Sequence, residues 1–372
     1  MNKSILFVAN VCKEHILKFH VPTIYELKQQ GWNVDVAASG EDSIPYCDHQ
    51  YHTSWKRSPF TFKLFTGIKE LKEIIEKNHY DVIYCHTPVG GLVARIAGYK
   101  ARRNGTKIVY FAHGFHFFKG APLQNWLIFY PIEKILARCT DYLIVINQED
   151  FDFARKKKLY QKDIFKIPGI GINLKRFEQP KNVNWRQQIR EEFNIKDEFV
   201  LIYVAEIIEN KNQKALIDVM NMLLKEHKDV KLLLVGPEHD HGKTKRYVEK
   251  LHLESNVIFT GWREDIGALL YASDLYLASS YREGYGINLV EAMACGLPVV
   301  AFENRGHRET IQNGQNGFMV KMNDLDAMCK KIKEFMGMKH DSMTEYAIEY
   351  ARKLDVKKIA TEIVEILNSV AK

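Results

Sequence analysis

No apolar run in this chain approaches the roughly 18 residues that a membrane-spanning helix requires, so no transmembrane segment is expected. The opening stretch, MNKSILFVANV, has one lysine and an apolar run too brief for a signal peptide; it reads as a first buried strand. Cysteine is sparse and scattered. Cys12, Cys47, Cys85, Cys139, Cys295 and Cys329 show no paired spacing for a disulfide framework or a metal knuckle, which favours a reducing cytoplasm. No helix-turn-helix, zinc finger or aromatic nucleic-acid platform accompanies the net charge of +7, so nucleic acid is not an expected partner. Internal repeats and low-complexity segments are also lacking.

What is present is a regular alternation. Strand-like apolar runs (Ile5 to Ala9, Val34 to Ala38, Val82 to Cys85, Ile108 to Phe111, Tyr142 to Ile146) alternate with helical periods such as Thr61 to Asn78. A second series runs through Val200 to Val204, Leu232 to Val235, Val257 to Thr260, Leu275 to Leu277, Val299 to Phe302 and Phe318 to Val320. This is the pattern of parallel sheets covered on both faces, and 372 residues leave room for two such domains. The seam is expected at Pro168 to Asn173, where a proline and two glycines follow a charged stretch. In the tail, Ser342 to Glu345 has capping-box spacing and Asp355 opens a further helix with an Ile359, Ile363, Ile366, Val370 stripe.

The densest signal is EGYGINLVEAMACGLPVVA, Glu283 to Ala301. Glu283 and Glu291 flank Gly284 and Gly286, a run of helix formers follows, Cys295-Gly296 suits a helix end, and Pro298 opens a strand. A glycine-bearing loop feeding a helix N-terminus is an anion site, because unpaired N–H groups and the helix dipole point at the ligand. Carboxylates beside it suit hydroxyl donors that flank a phosphate. Those two features together describe a sugar nucleotide.

These residues resemble the donor-site signature of retaining glycosyltransferases of family 4, which have the GT-B fold. KLLLVG (Lys231 to Gly236), FTGW (Phe259 to Trp262), DLYLASS (Asp274 to Ser280) and NGQNGFMV (Asn313 to Val320) look like the second domain of that family. TPVGGLVARIAG (Thr87 to Gly98) and AHGFHFFKGAP (Ala112 to Pro122) resemble a subgroup that builds bacterial surface polysaccharides and lipid-linked glycans. The resemblance implies an α/β chain of two doubly wound Rossmann-like domains facing a cleft. Its parts would be 1–168 on the acceptor side, 169–350 on the nucleotide-sugar side, and a helix within 351–372 returning to the first domain.

By resemblance Glu291 accepts from ribose hydroxyls, Glu283 contacts the transferred sugar, and the backbone of Gly286, Ile287, Asn288 and Leu289 faces the diphosphate or sugar. Lys211 is the expected cation for the leaving phosphate. The family usually places an arginine five residues earlier, where this chain has Glu206, leaving Glu206 to hydroxyls or to orienting Lys211. His113, directly after a strand, is the expected contact at the reacting centre, with His116 and His86 as secondary histidines. The family pattern also has a glycine pair after the first strand; here Asn10 to Glu14 has none. No Asp-x-Asp clamp lies near the donor signature, so neither a catalytic metal nor a cofactor is expected.

On the acceptor side Phe115, Phe117, Phe118, Trp126, Phe129 and Tyr130 gather beside Lys119. With the basic clusters Lys56-Arg57, Lys100 to Arg103 and Arg155 to Lys158, they suit an anionic membrane surface. The reading is a metal-independent hexosyltransferase that moves a hexose or N-acetylhexosamine from a UDP sugar to a lipid-linked or oligosaccharide acceptor. It would work peripherally on the inner face of the membrane. A sugar-nucleotide epimerase or hydrolase, or a binding module without catalysis, stands as the alternative.

Overall fold

In the computed structural model, which describes residues 2–55, 63–337 and 341–371, the chain forms two units. Unit 1 comprises Met1–Gly171 with Val356–Lys372, and unit 2 is Ile172–Asp355. The basic pair Lys56-Arg57 lies outside the described residues, as do Thr61 and Phe62.

Among the described residues unit 1 holds seven strands: β1 (Ser4–Val11), β2 (Asn33–Ser39), β3 (His49–His52), β4 (Val82–His86), β5 (Lys107–Ala112), β6 (Tyr142–Val145) and β7 (Asp163–Lys166). They pair in parallel in the order β3-β2-β1-β4-β5-β6-β7. Unit 2 holds β8 (Phe199–Val204), β9 (Val230–Val235), β10 (Val257–Gly261), β11 (Leu275–Ala278), β12 (Val299–Phe302) and β13 (Gly317–Val320). These are parallel in the order β10-β9-β8-β11-β12-β13. Both sheets are doubly wound, as the alternating pattern implies. Central strands such as β8, and β1 from Ile5 to Ala9, are apolar because helices cover both faces.

In each sheet the winding reverses once, between β1 and β4 in unit 1 and between β8 and β11 in unit 2. At such a reversal the following loops diverge and leave a crevice at the carboxyl ends of the two strands, where ligands bind in folds of this class.

Three local expectations are corrected. Asn10 to Glu14, where the family pattern has its glycine pair after the first strand, is not beyond the strand: β1 continues to Val11, and a π-helix, Cys12–Leu17, starts at once. Ser342 lies inside the helix Asp341–Lys353 rather than capping it. The edge strands β3 and β7 were not expected, since HQYH and DIFK carry polar residues where a buried strand would be apolar. At Cys295 and Gly296 the expected helix end is present. Gly296, at φ +75°, donates to the Met293 carbonyl (2.9 Å) and Leu297 to that of Ala292 (3.0 Å), a Schellman closure.

The last helix, Val356–Val370, belongs to unit 1 and packs on the helix Val21–Gln29. Ile359, Ile363 and Val370 are buried, joined by Val364 and Leu367.

Unit 1 also buries an ion pair that no motif announced. Arg95, 1% exposed, makes a two-pronged contact with Glu133 (2.6 and 3.0 Å), donates to the Gly91 carbonyl and lies over the Tyr110 ring. Arg95→Ala would strand the Glu133 carboxylate in a buried site, so a loss of about 3–5 kcal/mol is expected. Urea unfolding of wild type and variant measures it; a loss under about 1 kcal/mol would mean that water reaches Glu133.

Candidate functional site

The crevice of unit 2 is assembled from two segments. After β8 the chain passes Glu206 and makes a short 3-10 turn, Glu209–Lys211. After β11 it runs Ser279 to Gly286 and enters the helix Ile287–Ala294. The segments are bonded together: Ser279 Oγ donates to the Lys211 carbonyl (2.8 Å), the Tyr281 N–H to the Asn210 carbonyl (2.9 Å), and Asn210 Nδ2 to the Arg282 carbonyl (3.0 Å).

This stitching brings Lys211 and Glu283 into contact, Nζ to Oε1 at 2.6 Å, with side chains only 20% and 16% exposed. The same carboxylate oxygen accepts from Ser280 Oγ (2.6 Å), whose hydroxyl also meets the Tyr203 hydroxyl (2.6 Å). Burial, then the Glu283 charge, pushes the Tyr203 phenol up, so it stays a neutral hydroxyl.

A second loop supports Glu283 from behind. Asn304 Oδ1 accepts from the Gly306 and His307 N–H groups (3.0 and 2.9 Å), and its Nδ2 donates to the Ser280 carbonyl (2.9 Å). Gly306 then lies so close that an added Cβ would stand 2.6 Å from Glu283 Cβ. His307 is fully buried; desolvation pushes its pKa down while the Phe302 carbonyl and Glu283 pull the other way. Its Nδ1 meets the Phe302 carbonyl at 2.6 Å.

Two further cations appear that sequence reasoning missed. Burial lowers the pKa of Arg282, as does the charge of Arg305, while Glu283 raises it; Arg305 Nε donates to the Glu283 carbonyl (3.3 Å). Lys211 is therefore not alone in supplying positive charge around Glu283. Glu206, by contrast, is exposed, and its backbone carbonyl accepts from Gln213 Nε2 (2.8 Å).

The helix entrance follows from Gly286, whose φ of +81° is the left-handed region that glycine adopts without strain. Asn288 Nδ2 bonds the Val204 carbonyl at the end of β8 (3.3 Å), tying this helix start to the crevice. The Leu289 N–H is occupied by the Gly286 carbonyl (3.0 Å) and the Leu289 side chain is buried, which leaves Ile287 and Asn288 better placed as backbone donors. Glu291 is half-buried one turn further in. Its charge helps burial push the Cys295 thiol up to about 12.

Unit 1 places His113 directly after β5, half-buried, stacked on Phe111 at 4.2 Å between ring centres. His116 is separate, stacked on Phe129 (4.6 Å). His86 ends β4 and is fully buried. Two residues not singled out in the sequence, His15 and His20, join His86 and His113 in one cluster.

The aromatic acceptor-side reading needs correction. Phe115 and Phe117 are buried, and Trp126, Phe129 and Tyr130 pack against the core of unit 1. The helix Leu123–Leu136 instead turns Leu123, Leu127 and Ile135 outward, 71%, 67% and 66% exposed. Lys134 on this helix donates to the Lys157 carbonyl at the end of the helix Gln148–Lys157, so the exposed Arg155 to Lys158 cluster adjoins the apolar ridge. No described helix is long and apolar enough to cross a membrane.

Comparison with known proteins agrees with this geometry. Residues 186–354 match the family described as glycosyl transferases group 1, and residues 4–147 match the glycosyl transferase 4-like family. EpsD of Bacillus subtilis is 42% identical over 90% of this chain and 87% of its own length. An Escherichia coli UDP-Gal:α-D-GlcNAc-diphosphoundecaprenol α-1,3-galactosyltransferase is 28% identical over 70% of this chain and 69% of its own. Among solved structures, HepE of Anabaena in complex with UDP and glucose superposes with a TM-score of 0.80 at 22% identity, covering 99% of this chain and 100% of that one. The chain thus belongs to the group 1 glycosyltransferases, with the two parallel-sheet Rossmann-like domains of the GT-B fold.

Proposed function

We propose that this protein transfers a hexose or N-acetylhexosamine, with retention of anomeric configuration, from a UDP sugar to a lipid-diphosphate-linked or oligosaccharide acceptor in bacterial polysaccharide assembly. The observation that carries the reading is the Lys211–Glu283 contact at the crevice beside the glycine-led helix start. It sets a cation and a hydroxyl acceptor side by side, as a sugar diphosphate requires. In this reading Lys211 stabilises charge on the departing phosphate, aided by the N–H groups of Ile287 and Asn288. Glu283 accepts from hydroxyls of the transferred sugar and Glu291 from the ribose, and the role given to His113 is to donate to a sugar hydroxyl. Glu206 serves donor or acceptor hydroxyls or orients Lys211, and His116 assists His113 or faces the acceptor. The names of the Escherichia coli relative and of the HepE complex support UDP and a lipid-linked acceptor.

The test is a panel of UDP sugars offered with a lipid-diphosphate-linked monosaccharide and no added magnesium or manganese. A product of retained configuration supports the reading, and donor consumed equally without acceptor would make the protein a hydrolase or epimerase.

The apolar ridge and the adjoining basic cluster support docking on an anionic membrane surface, the inner face of the cell membrane. Changing Arg155, Lys156, Lys157 and Lys158 to glutamine is expected to weaken co-sedimentation with anionic vesicles, each basic residue contributing roughly 1 kcal/mol near such a surface. Salt should reproduce the effect in the wild type by screening. Equal and salt-insensitive binding of both proteins would sink the docking idea.

A further inference from the structure

The four histidines of unit 1 converge from three places in the chain. His15 sits on the π-helix after β1, His20 caps the next helix, His86 ends β4, and His113 follows β5. They meet where the sheet winding reverses between β1 and β4. One nitrogen from each ring lies within 4.8 Å of the others. His15 Nε2 and His20 Nε2 are 3.2 Å apart, sharing a hydrogen bond that an ion between them would replace. That separation is close to the ~3.3 Å edge of a tetrahedron of nitrogens at ~2.0–2.1 Å from a zinc-class ion.

The protein itself satisfies these rings poorly. His20 Nδ1, both nitrogens of His86 and His113 Nε2 are buried without a hydrogen-bond partner. Buried polar atoms are almost always paired, and leaving one unpaired costs ~1–3 kcal/mol; an ion takes one nitrogen per ring, and with His15 and His20 ligating through Nε2 it would pair one nitrogen of His86 and Nε2 of His113. His20 and His86 are fully buried among the rings of Phe7, Tyr84 and Phe111. Burial, and repulsion among the rings, push His20, His86 and His113 well below the usual histidine range. They are therefore neutral imidazoles, the form that binds a metal.

We propose that His15, His20, His86 and His113 form a closed, four-imidazole site for one divalent transition-metal ion of the zinc class. Imidazole ligands suit zinc, nickel, cobalt and copper rather than magnesium or calcium. A site with four protein ligands is structural, with no position left for reacting water. Its effect is to cross-link the ends of β1, β4 and β5 and to fix the ring of His113, whose ligating nitrogen must stay unprotonated. The proposal stands apart from the leaving-phosphate chemistry of unit 2 and does not depend on the transferase reading.

The experiment uses the full chain purified without a histidine tag. Metal content is measured by mass spectrometry after exposure to zinc and gel filtration, and cobalt(II) is titrated into the stripped protein. One ion per chain and the visible absorption of four-coordinate cobalt are expected. Loss of outer-sphere partners alone costs ~10–100-fold in metal affinity, so His20→Asn and His86→Asn should each lose at least about 100-fold. His116→Asn, outside the cluster, should keep the ion. A folded wild type that retains no stoichiometric ion and shows no saturable cobalt spectrum overturns the proposal. So does one whose binding survives both substitutions. Should either variant fail to fold, the wild-type titration decides alone.

Discussion

Lys211→Ala is expected to lower turnover by about 10²-fold, the scale of removing one preorganised donor from a developing anion. The loss falls at the lower end of the 10²–10³ range because Arg282 and Arg305 remain beside Glu283. The same change leaves the Glu283 carboxylate, only 16% exposed, with one fewer counter-ion, so folding stability should fall as well. The two effects separate in a double variant. Lys211→Ala with Glu283→Gln removes the stranded charge and should recover most of the lost stability, as contacting residues couple in such cycles. It should recover none of the turnover. A double variant that regains turnover would reduce Lys211 to a structural partner of Glu283.

Gly306→Ala is the second substitution with a large expected effect, although no ligand needs to touch it. At φ −75° the backbone there suits any residue, so the change acts through space alone. The new methyl would meet Glu283 Cβ at 2.6 Å and the Glu283 backbone carbonyl at 2.9 Å. Asn304 stiffens the 303–307 loop with two internal hydrogen bonds and ties it to the Ser280 carbonyl with a third, which resists its backing away. Glu283 must therefore move. A displacement of about 1 Å at a reacting group can cost ~10²-fold in rate, while overpacking costs ~1–3 kcal/mol in stability. Steady-state kinetics should show a fall in kcat of about that size. Gly337→Ala supplies the comparison, since its nearest neighbours would be 3.9 Å from the new methyl; it should leave kinetics unchanged. Wild-type kcat in the Gly306 variant would show that Glu283 has no part in the reaction.

What could be read from the sequence follows from what each feature depends on. Central strands announce themselves because both faces are covered, so β8 and β12 are unbroken apolar runs and β1 is one from Ile5 to Ala9. The edge strands β3 and β7 have one open side and carry His, Gln, Asp and Lys, which resemble loop composition. Glu283, Gly286 and Glu291 were legible because they share one contiguous motif. Their partners were not. Tyr203, Asn304 and Gly306 reach Glu283 only through the adjacency of β8, β11 and β12, which local spacing does not encode. The histidine cluster was hidden for a related reason: His15 and His20 are five residues apart, outside the usual ligand spacings on one helix face, and the π-helix and its continuation bring them together.

The return of the helix Val356–Val370 to unit 1 has a consequence for how the protein is made. Asn368 alone bonds Trp32 (3.3 Å), Gln30 (2.8 Å) and Lys3 (3.4 Å), partners from the very start of the chain. Everything in unit 2 is synthesised between these partners. On the ribosome, therefore, unit 2 has its complete sequence in hand first, while unit 1, begun earlier, lacks the cover on its helix Val21–Gln29 until the helix Val356–Val370 emerges. Of the two units, the one begun earlier is the one that closes later.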